Sequence, residues 1–224
     1  YESTEHPAIR SVVVRNDHTV GQARLDDIEK RHEATRIVEV GHRIAHLIQN
    51  ENVIPEEILA VTFTNKAAGE IKKRVEGLIG PGAANGMWMG TFHSLGVRIL
   101  RQECRALGLK PGFSILDATD TTALFQELAG GVDKIRLRMM QSRISLWKNA
   151  LLDSAQAMKA AADELEHEAA ALYTGYERSL NAYQAVDFDD LIRLPVKLFS
   201  NDEIAAERWR SRLWHLLVDE YQDT

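Results

Sequence analysis

The pattern of hydrophobic and polar positions along the chain predicts an alternation of helices and strands. Apolar residues recur at helical spacing after Thr35, and a second helical stripe follows Asn65. Between them, the apolar run Ile58–Phe63 predicts a buried strand. Asn65 is expected to be the N-cap of the second helix and Gly80 its stop. The stripes comprise Ile37, Val40, Ile44, Leu47 and Ile48, and then Ala68, Ile71, Val75, Leu78 and Ile79.

Further strands and helices follow the same alternation. Met87–Phe92 predicts a strand and Leu95–Leu107 a helix. Near the end of the chain, helices at Asp190–Phe199 and Glu203–Arg210 precede an apolar strand at Leu213–Val218. Strands that alternate with helices indicate a parallel sheet, so the predicted fold class is α/β.

The middle of the chain has a different character. Residues 117–185 carry helical patterns, few strand signals and an alanine-rich acidic run, which together predict an inserted all-helical subdomain. A polar helix is also predicted at Gln22–Glu33, within an atypical N-terminal segment, residues 1–35. The predicted domains are 1–112 for the first part of the sheet domain, 113–187 for the helical insertion and 188–224 for the return to the sheet domain.

Composition narrows the class of protein. Of 224 residues, 45% are hydrophobic and 27% charged, as in ordinary globular domains. No apolar run is long enough to span a membrane, the start lacks the regions of a signal peptide, and a single cysteine excludes an internal disulfide. We therefore expect a cytoplasmic protein without membrane contact. Because the net charge is −6, any contact with a polyanion depends on a local basic face. A first residue other than Met leads us to expect an excerpt of a longer protein.

Two carboxylates follow the last predicted strand. Asp219 and Glu220 come directly after the apolar run, in the string VDEYQDT. In nucleotide hydrolases, one carboxylate in this position holds Mg²⁺ and the next orients and deprotonates the attacking water. Acids at a strand end are also often merely solvated. The whole string favours the functional interpretation, since Gln222 and Asp223 follow at a spacing that can reach a γ-phosphate.

Two other strand ends pair a threonine with an aromatic residue. Aromatic rings stack on unpaired bases, while hydroxyls and helix N-termini hold phosphates, so both stretches are candidate nucleic-acid contacts. Each is explained equally well, taken alone, as a strand, a cap and an amphipathic helix. The candidates are Phe63, Thr64, Asn65 and Lys66 after one strand, and Thr91, Phe92, His93 and Ser94 at the end of the other.

Several remaining features have simple structural explanations. Phe188 opens the string FDDLI, which is typical of a helix start with acids in its first turn. Trp147 is expected in the core, and Cys104 is expected to be an inert helical residue. The basic residues of the insertion are expected to form a solvated face. They are Lys134, Arg136, Arg138, Arg143 and Lys148.

Five strings together resemble the UvrD/PcrA/Rep group of superfamily 1 DNA helicases. They are AVTFTNKAAGEIKKRV, GTFHSLGVRILR, FSILD, DFDDLI and LLVDEYQDT. They occur in the family's order and approximate spacing, from about Arg36 to Thr224. The resemblance implies that the α/β part is the first of two RecA-like motor domains of the P-loop NTPase type. It also implies that the insertion is the helical subdomain that branches from this domain.

The resemblance also implies roles for individual residues. Asp219 matches the Mg²⁺ ligand, Glu220 the catalytic base and Gln222 a residue that senses the γ-phosphate. The two threonine–aromatic stretches match contacts to single-stranded DNA, and Phe188 matches an aromatic residue that flanks the DNA path. The implied cofactors are ATP and Mg²⁺, and the implied substrates are single-stranded DNA and duplex junctions. In such enzymes ATP drives 3′–5′ translocation and unwinding, in DNA repair or replication.

One element of the family is not recognisable. A Gly-rich phosphate loop, G-x-x-x-x-G-K-[ST], should precede the helix that contains HRIAHLI, because its N–H groups and lysine hold the phosphates. No glycine lies between Gly21 and Gly41. Thr35 is the candidate for the loop's threonine, which places Ala34 at the lysine position. The first strand of the motor sheet would have to come from Ser11–Val14.

Two functions therefore stay open. One is a fragment of an ATP-dependent 3′–5′ DNA helicase, expected alone to unwind nothing and to hydrolyse little or no ATP, because the phosphate cradle and the second motor domain are missing. The alternative is a non-catalytic module that binds single-stranded DNA or docks a partner. Loss of the phosphate loop favours the alternative, whereas retention of Asp219, Glu220 and Gln222 argues against it. A helicase–nuclease relative is a weaker third interpretation, since no nuclease motif is visible.

Overall fold

The computed structural model describes the backbone of residues 11–13 and 25–219 and the side chains of residues 37–219. Contacts divide the chain into two compact units. One contains the residues up to Leu95 and from Ile204 onward, and the other is Gly96–Glu203. The sequence-based domain boundaries at 113 and 187 lie inside the second unit and stay a prediction.

The first unit is built on a parallel sheet of four strands in the order β1-β6-β2-β3. All five residues of β2 are buried, as expected for a parallel strand that is covered on both faces. The strands are β1 (Ser11–Val13), β2 (Ile58–Thr62), β3 (Trp88–Thr91) and β6 (His215–Val218). The parallel α/β fold predicted from the sequence is confirmed.

Helices cover this sheet through their apolar stripes. Ile44 and Leu47 of α1 pack with Ile71 and Val75 of α2 and with Leu217 of β6 in one buried cluster. These are the stripe positions predicted from the sequence. The helices of the first unit are α1 (Leu25–Asn50), α2 (Asn65–Ile79), the first turn of α3 (Phe92–Glu103) and most of α9 (Glu203–Arg210). A 3₁₀ turn at Pro55–Glu57 precedes β2.

The second unit is mainly helical. Its helices after α3 are α4 (Ala118–Ala129), α5 (Lys134–Asn149), α6 (Ser154–Ala160), α7 (Glu164–Tyr183) and α8 (Asp190–Asn201), and β4 (Ser114–Ile115) pairs in parallel with β5 (Ala185–Val186). Aspartates cap four of these helices by accepting backbone N–H groups: Asp117, Asp133, Asp153 and Asp163. Phe125 and Tyr176 stack at 4.1 Å between ring centroids in the core, which also contains Trp147 as predicted.

Some predicted boundaries are wrong for identifiable reasons. The third helix begins at Phe92 instead of Leu95, because the Thr91 hydroxyl accepts the Ser94 N–H and caps it there. It ends at Glu103, so Cys104 lies buried in the following turn and not in a helix. The predicted strand Ser11–Val14 is present as Ser11–Val13, and Val14 lies outside the described residues. The polar helix predicted at Gln22–Glu33 is part of α1 from Leu25 onward.

Among the described residues, none of the helices combines the length and apolarity needed to cross a membrane.

Candidate nucleic-acid interface and acidic strand end

The predicted site residues of the first unit lie at one edge of its sheet. Thr62 of β2 is in register with Thr91 of β3, and Val61 is in register with Val218 of β6. Because all these strands are parallel, the residues that follow them emerge at the same, carboxyl-terminal edge. The two threonine–aromatic stretches and Asp219 therefore share one edge.

The chain turns sharply from β2 into α2, and Thr64 fixes this turn. Its hydroxyl accepts the Ala67 N–H at 3.1 Å, and its carbonyl accepts the Thr62 hydroxyl at 2.8 Å. Thr64 is thus the N-cap, and the prediction that Asn65 caps the helix is wrong. Asn65 is instead the first helical residue, and it is exposed next to Lys66. Threonine wins because its extended backbone places its hydroxyl over the first turn.

The turn from β3 into α3 is built the same way. The Ser94 N–H donates to the Thr91 hydroxyl at 3.2 Å, and the Ser94 hydroxyl donates back to the Thr91 carbonyl at 2.8 Å. His93 is partly buried beside them, and Ser94 is exposed. Both stretches therefore end in a threonine-capped helix whose first residues lie at the carboxyl edge.

Two aromatic rings connect these turns. Phe63 and Phe92 meet edge to face, with 5.6 Å between ring centroids and 62° between ring planes. Such pairs contribute about 0.5–1.5 kcal/mol beyond the apolar area they bury. Phe63 remains 39% exposed while Phe92 is partly buried. The pair therefore holds an aromatic surface at the sheet edge, three residues before the exposed Lys66 in the sequence.

Lys66 has only a weak local partner. Its Nζ lies 3.8 Å from Glu70 Oε1 one helical turn away, and its side chain is 78% exposed. Exposed pairs of this kind contribute between 0 and about 1 kcal/mol. The ammonium can therefore leave Glu70 for a phosphate at little cost.

Asp219 continues the sheet by one residue beyond β6. Its N–H donates to the Val61 carbonyl at 3.0 Å, and the residue is buried. A carboxylate held in this way suits a cation such as Mg²⁺, which proteins often hold by one or two carboxylates plus water and phosphate oxygens. In the described part of the chain, no group of three or more His, Cys, Asp and Glu side chains is arranged around a metal position. Glu220 and Gln222 lie outside the described residues.

The phosphate loop would lie between β1 and α1, where residues 14–24 are outside the description. Thr35, the candidate for the loop's threonine, belongs to α1, ten residues after Leu25. Its side chain lies outside the described residues, so its nucleotide role stays a prediction.

Phe188 belongs to the second unit, between β5 and α8. Its ring is 58% exposed, although Asp187 before it and Asp190 after it are both buried. The Asp187 carboxylate accepts the Asp190 N–H at 3.0 Å. FDDLI is therefore more than a helix start with solvated acids, since Asp190 is directed into the protein.

A buried ion cluster holds this segment. Lys148 Nζ lies 2.6 Å from Asp187 Oδ2 and 3.0 Å from Asp190 Oδ2. Arg193 bonds Asp190 at 3.2 Å and Glu177 at 3.0 Å. We call these five residues the buried ion cluster. The prediction that Lys148 lies on a solvated face is wrong, because its side chain is only 1% exposed.

Periodicity could have identified Lys148. The buried residues of α5 are Leu137, Met140, Ile144, Trp147 and Lys148. Lys148 follows Ile144 by four positions, so it falls on the apolar stripe of the helix. A lysine on such a stripe requires carboxylate partners, and the acids of DFDDLI supply them. The sequence analysis considered only the charge of Lys148 and so grouped it with the other basic residues of the insertion.

The cluster also shifts the ionisation of its members. Burial alone would raise the pKa of Asp187, but the Lys148 ammonium and the hydrogen bonds to Asp187 outweigh burial and hold that pKa below its usual range. Burial raises the pKa of Asp190, and the charge of Asp187 adds to this effect against the pull of Lys148 and Arg193. The cluster is therefore a coupled network in which each carboxylate depends on the shared lysine.

Comparison with known proteins agrees with this arrangement. The sequence model of the UvrD/REP helicase N-terminal domain matches residues 35–224. The chain is 44% identical over 193 residues to the ATP-dependent DNA helicase Rep of Salmonella typhimurium and to that of Escherichia coli, in each case over 85% of this chain and 28% of the relative. It is 41% identical over 187 residues to the ATP-dependent DNA helicase PcrA of Staphylococcus aureus, over 82% of this chain and 26% of PcrA.

The chain thus spans between a quarter and a third of the length of these relatives. The match to the family covers the carboxyl edge of the sheet, the buried ion cluster and the acidic strand end. This chain belongs to the UvrD/REP helicase family, in the part that forms the N-terminal domain.

Proposed function

We propose that the chain is the DNA-contacting first motor domain of an ATP-dependent 3′–5′ DNA helicase that translocates on single-stranded DNA and unwinds duplexes, in DNA repair or replication. The observation that carries the proposal is the Phe63–Phe92 pair at the carboxyl edge of the sheet, between two threonine-capped helices. The similarity of the chain to the ATP-dependent DNA helicases Rep and PcrA supports it. Its substrates would be single-stranded DNA and duplex junctions, and its location the cytoplasm and nucleoid.

The geometry suits a single strand because it combines an aromatic surface with fixed polar groups. An unpaired base would stack on the exposed face of Phe63, which Phe92 holds from the side. Asn65 and Lys66 lie at the N-terminus of α2, and His93 and Ser94 at that of α3, where helix dipoles favour an anionic backbone. In the second unit, the exposed Phe188 is a further proposed aromatic contact to DNA.

The nucleotide side of the proposal is different. In an ATP complex, Asp219 would hold Mg²⁺, Glu220 would take a proton from water and Gln222 would contact the γ-phosphate, which together supply hydrolysis. No phosphate loop is recognisable in the sequence, and residues 14–24, where it would lie, are outside the described part of the chain. We therefore infer that this chain alone binds single-stranded DNA without hydrolysing ATP.

The DNA proposal is tested by fluorescence anisotropy of a labelled oligo(dT) titrated with the full chain. Phe63→Ala should weaken binding about 5- to 150-fold, the equivalent of the ~1–3 kcal/mol of one base–aromatic stack. Leu78→Ala is the matched control, because Leu78 is 38% exposed near the opposite end of α2. Equal affinities for the Phe63 variant and the unmodified chain would contradict the proposal.

The second candidate function is a non-catalytic module that binds single-stranded DNA or docks a partner. The missing phosphate loop favours it. Binding of a fluorescent ATP analogue with Mg²⁺, with and without single-stranded DNA, tests whether this chain retains a nucleotide site. No nucleotide binding with DNA binding retained supports a DNA-contacting domain without a motor. Tight binding that depends on Mg²⁺ and is lost in Asp219→Ala would mean that an unrecognised cradle exists.

A further inference from the structure

We propose that Lys148 is a positioning residue for Phe188: by bridging the two buried carboxylates that flank Phe188, it fixes the backbone that presents this ring to a base. The inference rests on the proposed DNA contact of Phe188. It assigns a function to a charge that lies in the core of the helical unit and cannot itself touch DNA.

The first argument is the geometry of the segment. Asp187 and Asp190 bracket Phe188 and are joined to each other, because the Asp190 N–H donates to Asp187 Oδ1 at 3.0 Å and Asp190 Oδ2 lies 3.5 Å from the Asp187 N–H. Lys148 Nζ then contacts Oδ2 of both residues, at 2.6 and 3.0 Å. The backbone is held on both sides of Phe188, while the ring between these anchors stays exposed.

The second argument is that both carboxylates have polar partners besides Lys148. Arg193 pairs with Asp190, and the Tyr176 hydroxyl donates to Asp187 Oδ2 at 2.8 Å. Burying ions is costly, and replacing a whole buried ion pair by apolar residues of similar volume is often neutral or stabilising. What Lys148 adds is one rigid link between the two residues that flank Phe188.

The third argument is that the lysine itself has little freedom. Its ammonium lies 5.3 Å from the centroid of the Tyr176 ring, and that ring stacks on Phe125. Lys148 is followed by the end of α5 at Asn149, so its stem is anchored in a helix whose other buried residues form the core. A displacement of the Phe188 backbone would therefore have to break the ion pairs, since the lysine cannot follow it.

The test is a double-mutant cycle in the full chain, with oligo(dT) binding followed by anisotropy and base stacking followed by 2-aminopurine fluorescence. The variants are Phe188→Ala, Lys148→Met and the two combined. Arg136→Met is the control, because Arg136 lies on the same helix and pairs with Glu168 at 2.8 Å in an exposed ion pair. Far-UV circular dichroism confirms that each variant is folded at the temperature of the titration.

Removing Lys148 alone takes a cationic partner away from the buried carboxylates of Asp187 and Asp190, and this can unfold the unit. Lys148→Met combined with Asp187→Asn removes one charge of each sign and keeps the Asp190–Arg193 pair. If Lys148 acts only through stability, this charge-balanced variant should recover full DNA affinity. If Lys148 positions Phe188, affinity and 2-aminopurine quenching should remain low although the protein is folded.

Phe188→Ala should weaken binding about 5- to 150-fold. Lys148→Met should give a loss of similar size that disappears in the Phe188→Ala background, while Arg136→Met should leave affinity unchanged. Independent losses that multiply in the combined variant, or wild-type affinity in Lys148→Met, would overturn the inference and leave the proposed function standing. Wild-type affinity in Phe188→Ala would refute the DNA contact of Phe188, and with it this inference.

Discussion

Substitution of Gly96 by alanine should destabilise the helical unit, although alanine is the better helix former. Gly96 lies in α3, which passes directly over the start of α8. A Cβ at Gly96 would overlap the Leu191 carbonyl oxygen and would lie 2.8 Å from its carbonyl carbon. Both are backbone atoms, so no side-chain rotation can relieve the overlap, and the two helices would have to separate.

The size of the effect follows from two opposing terms. Overpacking costs about 1–3 kcal/mol, and a backbone contact this short belongs at the upper end. Replacing glycine by alanine inside a helix returns about 1 kcal/mol. The expected net loss for Gly96→Ala is therefore about 1–2 kcal/mol. Gly175→Ala in α7 is the matched control, since its Cβ would meet only Leu128 Cδ2 at 3.8 Å, and it should gain about 0.5–1 kcal/mol.

Urea unfolding followed by circular dichroism at 222 nm measures both variants. The opposite signs are the critical result, because both substitutions make the same chemical change in helices of the same unit. If Gly96→Ala were as stable as Gly175→Ala, the close approach of α3 to α8 would be incorrect. The positions of the residues that follow Phe188 would then need revision.

Two further predictions concern pH and capping. Burial raises the pKa of Tyr173 and Tyr176. The contribution of these neutral tyrosines to the free energy of unfolding should be fully present below about pH 10, where free tyrosine titrates. Above that pH the free energy of unfolding should fall by up to ~1.4 kcal/mol per pH unit for each residue. The pH dependence of the urea unfolding midpoint measures this effect, and Tyr176→Phe should make that dependence less steep. Thr64→Ala should lower the free energy of unfolding in urea by about 0.5–2 kcal/mol, and Asn65→Ala should change it by less than about 0.5 kcal/mol. A larger loss for Asn65→Ala than for Thr64→Ala would mean that Asn65 is the cap.

Local sequence rules predicted the elements well because those elements depend on near neighbours. The apolar stripe of α2 and its stop at Gly80 follow from helical periodicity and from a glycine with φ of 108°. The choice between Thr64 and Asn65 as the cap failed, since both residue types are good caps and the decision depends on where β2 releases the chain. That position is fixed by the pairing of β2 with β3 and β6. The sequence around the start of α2 carries no information about this pairing.

The buried ion cluster was missed for a related reason. Lys148 and Asp187 are 39 positions apart, and neither string indicates the other when it is considered alone. Lys148 was predicted on a solvated face, although its helical spacing from Ile144 puts it on the apolar face, and the FDDLI pattern placed acids at a helix start. Only the fold brings Lys148 and Asp187 together, and their ion pair accounts for the burial of both charges. A lysine on an apolar helix face and acids at a helix start in the same unit therefore indicate an ion pair between them, and not two solvated sites.

The N-terminal part of the chain shows why a motor sheet can persist without a recognisable nucleotide loop. β1 pairs in parallel with β6, and β6 pairs with β2, so the first strand is held by its neighbours and not by the loop that follows it. The turns at the carboxyl edge of the sheet depend on the Thr64 and Thr91 caps and on the Phe63–Phe92 pair. All of these residues follow the position of the phosphate loop in the sequence, so the proposed DNA surface can be retained in a chain without a recognisable loop. The caps and the aromatic pair therefore support the proposal that this chain binds DNA without hydrolysing ATP.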